Sequence, residues 1–182
     1  MRLVTSAVLA TLALTLSACG GDDPPPPEPT TTATTPASVT EAPPALPPRA
    51  GDDSAQGVTD FVSYYLKVLS YAHRTGETGE LTKLSDPACD ACQSYITAIQ
   101  DLAKAGGAIT GGARTFEGAK GGYVRDGESL VTIDMKIAEG THREDRSSEP
   151  ESIAASEMRL TFGVTGSADG RRVTAIYRGD AE

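Results

Sequence analysis

Cys89 and Cys92, three residues apart, are the side chains best placed to do chemistry. Three chemistries use such a pair. The first is a disulfide, the usual fate of paired thiols outside the cytoplasm. A loop this short gains little from cross-linking entropy, so its effect would be to lock the turn feeding a helix. Residues three apart inside a regular helix hold their Cβ atoms about 5–6 Å apart, whereas a disulfide wants about 3.8 Å. Cys89 is therefore expected at or before the first turn, with Ser85-Asp86-Pro87 making the bend. The second chemistry is thiol–disulfide exchange, which a helix N-terminus favours. Asp90 between the cysteines disfavours a thiolate, and no βαβ pattern precedes the pair. The third is metal binding. Structural zinc needs four ligands, and neither His73 nor His142 brings a second close pair. The expectation is a disulfide, with no metal and no cofactor.

Tyr64, Tyr65, Tyr71 and His73 form a second group, on or just beyond one helix. They could line a polar-aromatic ligand pocket, with His73 titrating near neutral pH. Alternatively Tyr65 packs in the core and the others carry their polar ends to the rim. No Ser/His/Asp ordering, paired-carboxylate signature or phosphate loop is recognisable, so no catalytic residue is assigned and the reading leans away from an enzyme.

The third cysteine, Cys19, closes a leader. Arg2 gives a positive start, Val8 to Leu16 an apolar run, and Ser17-Ala18 small residues before the cysteine. That run is too short for a permanent membrane span, which takes about 20 residues. Leu16-Ser17-Ala18-Cys19 resembles the bacterial lipobox. The resemblance implies cleavage before Cys19 and diacylglyceryl transfer to its sulfur. Two acyl chains anchor stably where one is marginal. The expected partner is thus the bacterial membrane, reached through the lipid, and the expected location is its extracytoplasmic face.

Residues 19–53 then read as the lipidated cysteine and a disordered tether. Pro24 to Pro27, Thr30 to Thr32, Pro43-Pro44 and Pro47-Pro48 favour extended chain at about 3.1 Å per residue. Such Thr/Pro stretches either carry O-linked sugars or stand bare. The order is a signal peptide over 1–18, the tether over 19–53, and a globular domain over 54–182.

The domain's patterning changes halfway along. Asp53 and Ser54 can cap a helix whose apolar positions are Val58, Phe61, Val62, Tyr65, Leu69 and Ala72, with Gly76 as its stop. A short segment spans Gly79 to Leu84, and a second helix runs from about Ala91 to Ala105. Period two follows. Val131, Ile133, Met135 and Ile137 form one strand, and Met158, Leu160, Phe162 and Val164 another. A last strand is Val173 to Arg178, after a turn at Asp169-Gly170. One or two strands fall between Ala108 and Val124, broken by Gly111-Gly112 and Gly121-Gly122, while Thr141 to Glu151 reads as a charged loop. Helices followed by antiparallel strands give an α+β fold. The packing expected is a curved sheet of four to five strands on the first helix. That order resembles the cystatin-like and nuclear-transport-factor-2-like cones.

Phe61, Tyr64-Tyr65, Leu69, Tyr71-Ala72, Thr75-Gly76, Leu81, Leu84 and Cys89-Asp90-Ala91-Cys92 also resemble a family of actinobacterial lipoproteins of unknown function. That resemblance implies no catalytic residues. The formal charge of −9, without basic clusters, argues against nucleic acid as a partner. The expected function is a lipid-anchored envelope domain that binds a partner protein or a small ligand. The alternative is a small-molecule binder or enzyme using the cone's cavity, and after it disulfide exchange at Cys89/Cys92.

Overall fold

The structure, a computed structural model, describes residues 41–125, 127–167 and 170–179. Cys19, the leader, the tether up to residue 40 and Asp169 of the expected turn lie outside the described residues.

Three α-helices come first. α1 spans Ala55–Thr75, α2 Gly79–Leu84 and α3 Asp90–Ala105. Ser54 starts α1, its hydroxyl accepting from the Gly57 amide at 3.1 Å. Gly76 ends it in the left-handed region at φ 78°, its amide donating to the Ala72 carbonyl. Cys89 is the N-cap of α3, outside the regular helix as disulfide geometry requires. Among the described residues no helix is long and apolar enough to cross a membrane.

Seven strands follow, β1 (Gly106–Gly111), β2 (Arg114–Arg125), β3 (Glu128–Ile137), β4 (Gly140–Asp145), β5 (Glu151–Ile153), β6 (Ser156–Thr165) and β7 (Arg172–Gly179). They make two antiparallel sheets, ordered β2-β3-β6-β7 and β1-β4-β5. The fold is α+β, as the order of patterns implied.

The larger sheet is built on the alternation in β3 and β6. Val131 pairs with Phe162 and Ile133 with Leu160, and all four are buried. Against them α1 lays Val62, Tyr65, Leu66 and Leu69, each fully buried side chain contributing about 1.5–3 kcal/mol. The opposite face carries a polar ladder. Thr132 and Thr161 share a hydrogen bond at 2.9 Å, and Arg159 donates to Asp134 at 2.8 Å. Such cross-strand pairs hold register without burial.

Three details differ from the sequence reading. Thr141 to Glu151 is not simply a loop, because it contains β4 and the start of β5. Its backbone is satisfied by pairing with β1, and its residues are exposed or half-buried on both faces, so no alternation marks it. The Gly121-Gly122 pair does not break β2. It sits beside register shifts, and a Cβ on Gly121 would lie 2.5 Å from the Thr59 hydroxyl. Glycine there lets α1 and β2 approach closely.

The third detail is the N-terminal edge. Pro48–Gly51, which composition places in the tether, forms a 3-10 turn against α1 with Ala50 only 1% exposed. The folded part therefore begins upstream of Ser54. Gly57 makes room for it, since a Cβ there would meet the Asp52 carbonyl oxygen at 2.2 Å.

Candidate functional site

Between α1, α3 and the inner face of the larger sheet lies a largely enclosed cavity of about 80 Å³. Leu66 and Leu69 of α1 form one wall. Met135, Ile137, Met158, Leu160, Phe162 and Ile176 form the sheet wall. Three polar side chains reach this apolar space: His73, Tyr95 and Arg114.

Each arrives by simple periodicity. His73 follows Leu66 by seven residues and Leu69 by four, so all three share one face of α1. Tyr95 follows Cys92 by three and precedes Ile99 by four, on the buried side of α3. Arg114 opens β2 opposite Ile137 and two residues before Phe116, which puts it on the same sheet face as both.

The electrostatics are those of a desolvated site. Burial, aided by the Arg114 guanidinium, depresses the His73 pKa to about 4, so the ring is neutral at neutral pH. Its Nδ1 is buried with no hydrogen-bond partner among the described residues. Burial also lowers the pKa of Arg114. That guanidinium makes no hydrogen bond or ion pair among the described residues, and no acidic side chain lines the cavity.

His73 also lines a more open groove of about 360 Å³ with Asp101, Leu102, Ile109, His142 and Glu144. The imidazole thus stands at the boundary between groove and cavity. Among the described residues no cluster of three or more His, Cys, Asp or Glu side chains could hold a metal ion.

The sequence-based candidates separate in the structure. The Tyr64 hydroxyl donates to Glu80 at 3.3 Å and the Tyr71 hydroxyl to Glu77 at 2.7 Å, both on the α2 side. Tyr65 is buried, its hydroxyl 3.2 Å from Ser85 Oγ and its ring edge-on to Phe162. Burial pushes its pKa up to about 12. None of the three tyrosines lines the cavity; only His73 of that group does. Tyr95 and Arg114, which line the cavity, are not among the sequence-based candidates. Their signals were the apolar face of α3 and the two-residue step from Arg114 to Phe116.

Cys89 and Cys92 are joined in a disulfide, with Cα atoms 5.3 Å apart. Both residues are buried, at 2% and 0% exposure. Exchange needs a thiolate to reach a sulfur, and neither sulfur is presented to one.

Comparisons with known proteins give the fold and the family. No curated protein matches the chain. The crystal structure of the intermembrane space region of chloroplast protein ARC6 is similar, with a TM-score of 0.55 at 13% identity. The match covers 70% of this chain and 98% of that one, and at such identity it speaks of fold alone. A family model, described as a family of unknown function (DUF6318), matches residues 29–179. With most of its length matched, the chain belongs to that family.

Proposed function

We propose that this is a lipid-anchored envelope protein whose α+β domain binds a small ligand in the cavity between α1 and the sheet. The leader and the lipobox-like Leu16-Ser17-Ala18-Cys19 support the anchor and an extracytoplasmic location. The observation that carries the binding reading is the buried, unpartnered Nδ1 of His73 at the edge of an apolar cavity. Buried polar atoms are almost always satisfied, and an apolar cavity with a few convergent polar groups is how small-ligand sites are built.

A protein partner is the weaker reading. Among the described residues the large exposed apolar side chains are Leu46, Val124 and Tyr177. Val124 and Tyr177 lie on β2 and β7, the opposite edges of the larger sheet, so they do not form one patch. Binding is preferred to turnover because the Nδ1 of the neutral His73 ring has no hydrogen-bond partner among the described residues to orient it as an acid or base.

The test is extraction. The full chain, purified from its own membrane, is stripped with organic solvent and its small molecules identified by mass spectrometry. An Ile176→Trp variant, which fills the cavity, serves as comparison. A compound present with the native chain and missing from the variant is expected. Identical extracts, together with a protein crosslinked to the domain in the membrane, would overturn the proposal in favour of a protein partner.

A further inference from the structure

We infer that the cavity selects a short monocarboxylate, with the Arg114 guanidinium holding the carboxylate and the Leu, Met and Phe walls taking an apolar tail. This rests on the reading of the cavity as a ligand site. Four observations point to that chemistry.

The first is charge. Arg114 is half-buried at the cavity with no hydrogen bond or ion pair among the described residues. Withdrawing a cation from water without a counter-ion is costly, and a fitting anion relieves it. No lining side chain is acidic, so within the cavity a ligand is the available source of counter-charge. The second is stoichiometry. One guanidinium balances one negative charge, and its planar fork matches the two oxygens of a carboxylate. A phosphate dianion would leave charge uncompensated beside apolar walls.

The third is the neighbouring imidazole. A neutral histidine has one nitrogen that donates and one that accepts. A protonated Nδ1 could give a carboxylate oxygen a further hydrogen bond without adding a second charge. The fourth is size and lining. About 80 Å³ is far below the roughly 300–1,000 Å³ of sites for drug-sized ligands, so the tail is only a few carbons long. Met135 and Met158 face each other in the β3–β6 register, and flexible thioethers adapt to small differences in tail shape.

The experiment uses three probes of equal length on the purified full chain at pH 7: hexanoate, hexanol and hexylamine. Affinities are measured by calorimetry, and binding is located by the methyl NMR signals of Met135 and Met158. Hexanoate should bind about 10- to 100-fold tighter than hexanol, the range expected for hydrogen bonds to a charged partner. Arg114→Met should bring the two to parity while leaving hexanol within about twofold, the cavity walls being unchanged. Arg114→Gln, which keeps a polar terminus, should do the same and guards against a folding defect in the first variant. Equal affinity for hexanoate and hexanol in the native chain, or preference for hexylamine, would overturn the carboxylate inference and leave the cavity as a ligand site. Silence of both methyl signals with all three probes would overturn the cavity reading itself.

Discussion

The Arg171 guanidinium donates to the Ala50 carbonyl oxygen at 2.6 Å, across 121 positions of sequence. It also reaches Asp53 at 3.1 Å, and Arg171 is itself only 3% exposed. One side chain before β7 thus closes the 3-10 turn onto the body of the domain. Arg171→Met should lose about 1–3 kcal/mol, because it leaves a buried carbonyl unpaired. Asp53→Ala should cost under about 1 kcal/mol, since that carboxylate is exposed. Urea unfolding of both variants measures the difference. Limited proteolysis should cut near residue 50 only in the Arg171 variant.

His73 predicts a pH dependence. Its folded pKa, about 4, lies below the ordinary 6.5. The unfolded chain therefore binds the extra proton first, and stability falls as pH drops through that window. The contribution is full above pH 6.5 and is lost by about pH 4. At about 1.4 kcal/mol per pH unit it amounts to on the order of 3 kcal/mol. Carboxylates add their own acid dependence, so the measurement is the difference between the native chain and His73→Gln. That difference should move by about this amount in the variant's favour between pH 6.5 and pH 4.

The disulfide should matter modestly. Closing a four-residue loop stabilises by about 2 kcal/mol in the chain-entropy model. Cys89→Ala with Cys92→Ala should keep the fold and lose about that much by urea unfolding. Amide exchange should quicken first in the opening turn of α3, where Cys89 Sγ accepts from the Cys92 amide.

The anchor has a direct check. Cys19→Ala should move the protein from the membrane fraction to the soluble one. Full retention in the membrane would remove the lipoprotein reading.

The helices were legible because their ends are marked chemically. Ser54, Gly76 and Gly106 cap as their residue types suggest, and α2 falls on Gly79–Leu84. The strands β3 and β6 were legible because one face is buried and the other is not, which imposes alternation. Between Ala108 and Val124 the expected strands are present as β1 and β2, parted at Gly111-Gly112, but the phase of β2 was not legible. Its glycines serve close packing and bulges, which hides the phase of β2, and without that phase Arg114 cannot be assigned to the inner face. The tyrosines divide between the core and the α2 side. Periodicity places Tyr64 and Tyr71 on α1, but their direction is decided by Glu80 and Glu77 across the following turn.

The turn at Pro48–Gly51 also decides how the domain bears tension. A pull on the chain at Pro47 reaches Ala50 and passes through Arg171 into the segment between β6 and β7, while the Glu41–Arg74 and Arg49–Asp60 pairs carry part of it directly to α1. The load is shared between the sheet and α1. The helix that forms one cavity wall is thus held near both of its ends, at Asp60 and Arg74, rather than loaded at its start alone.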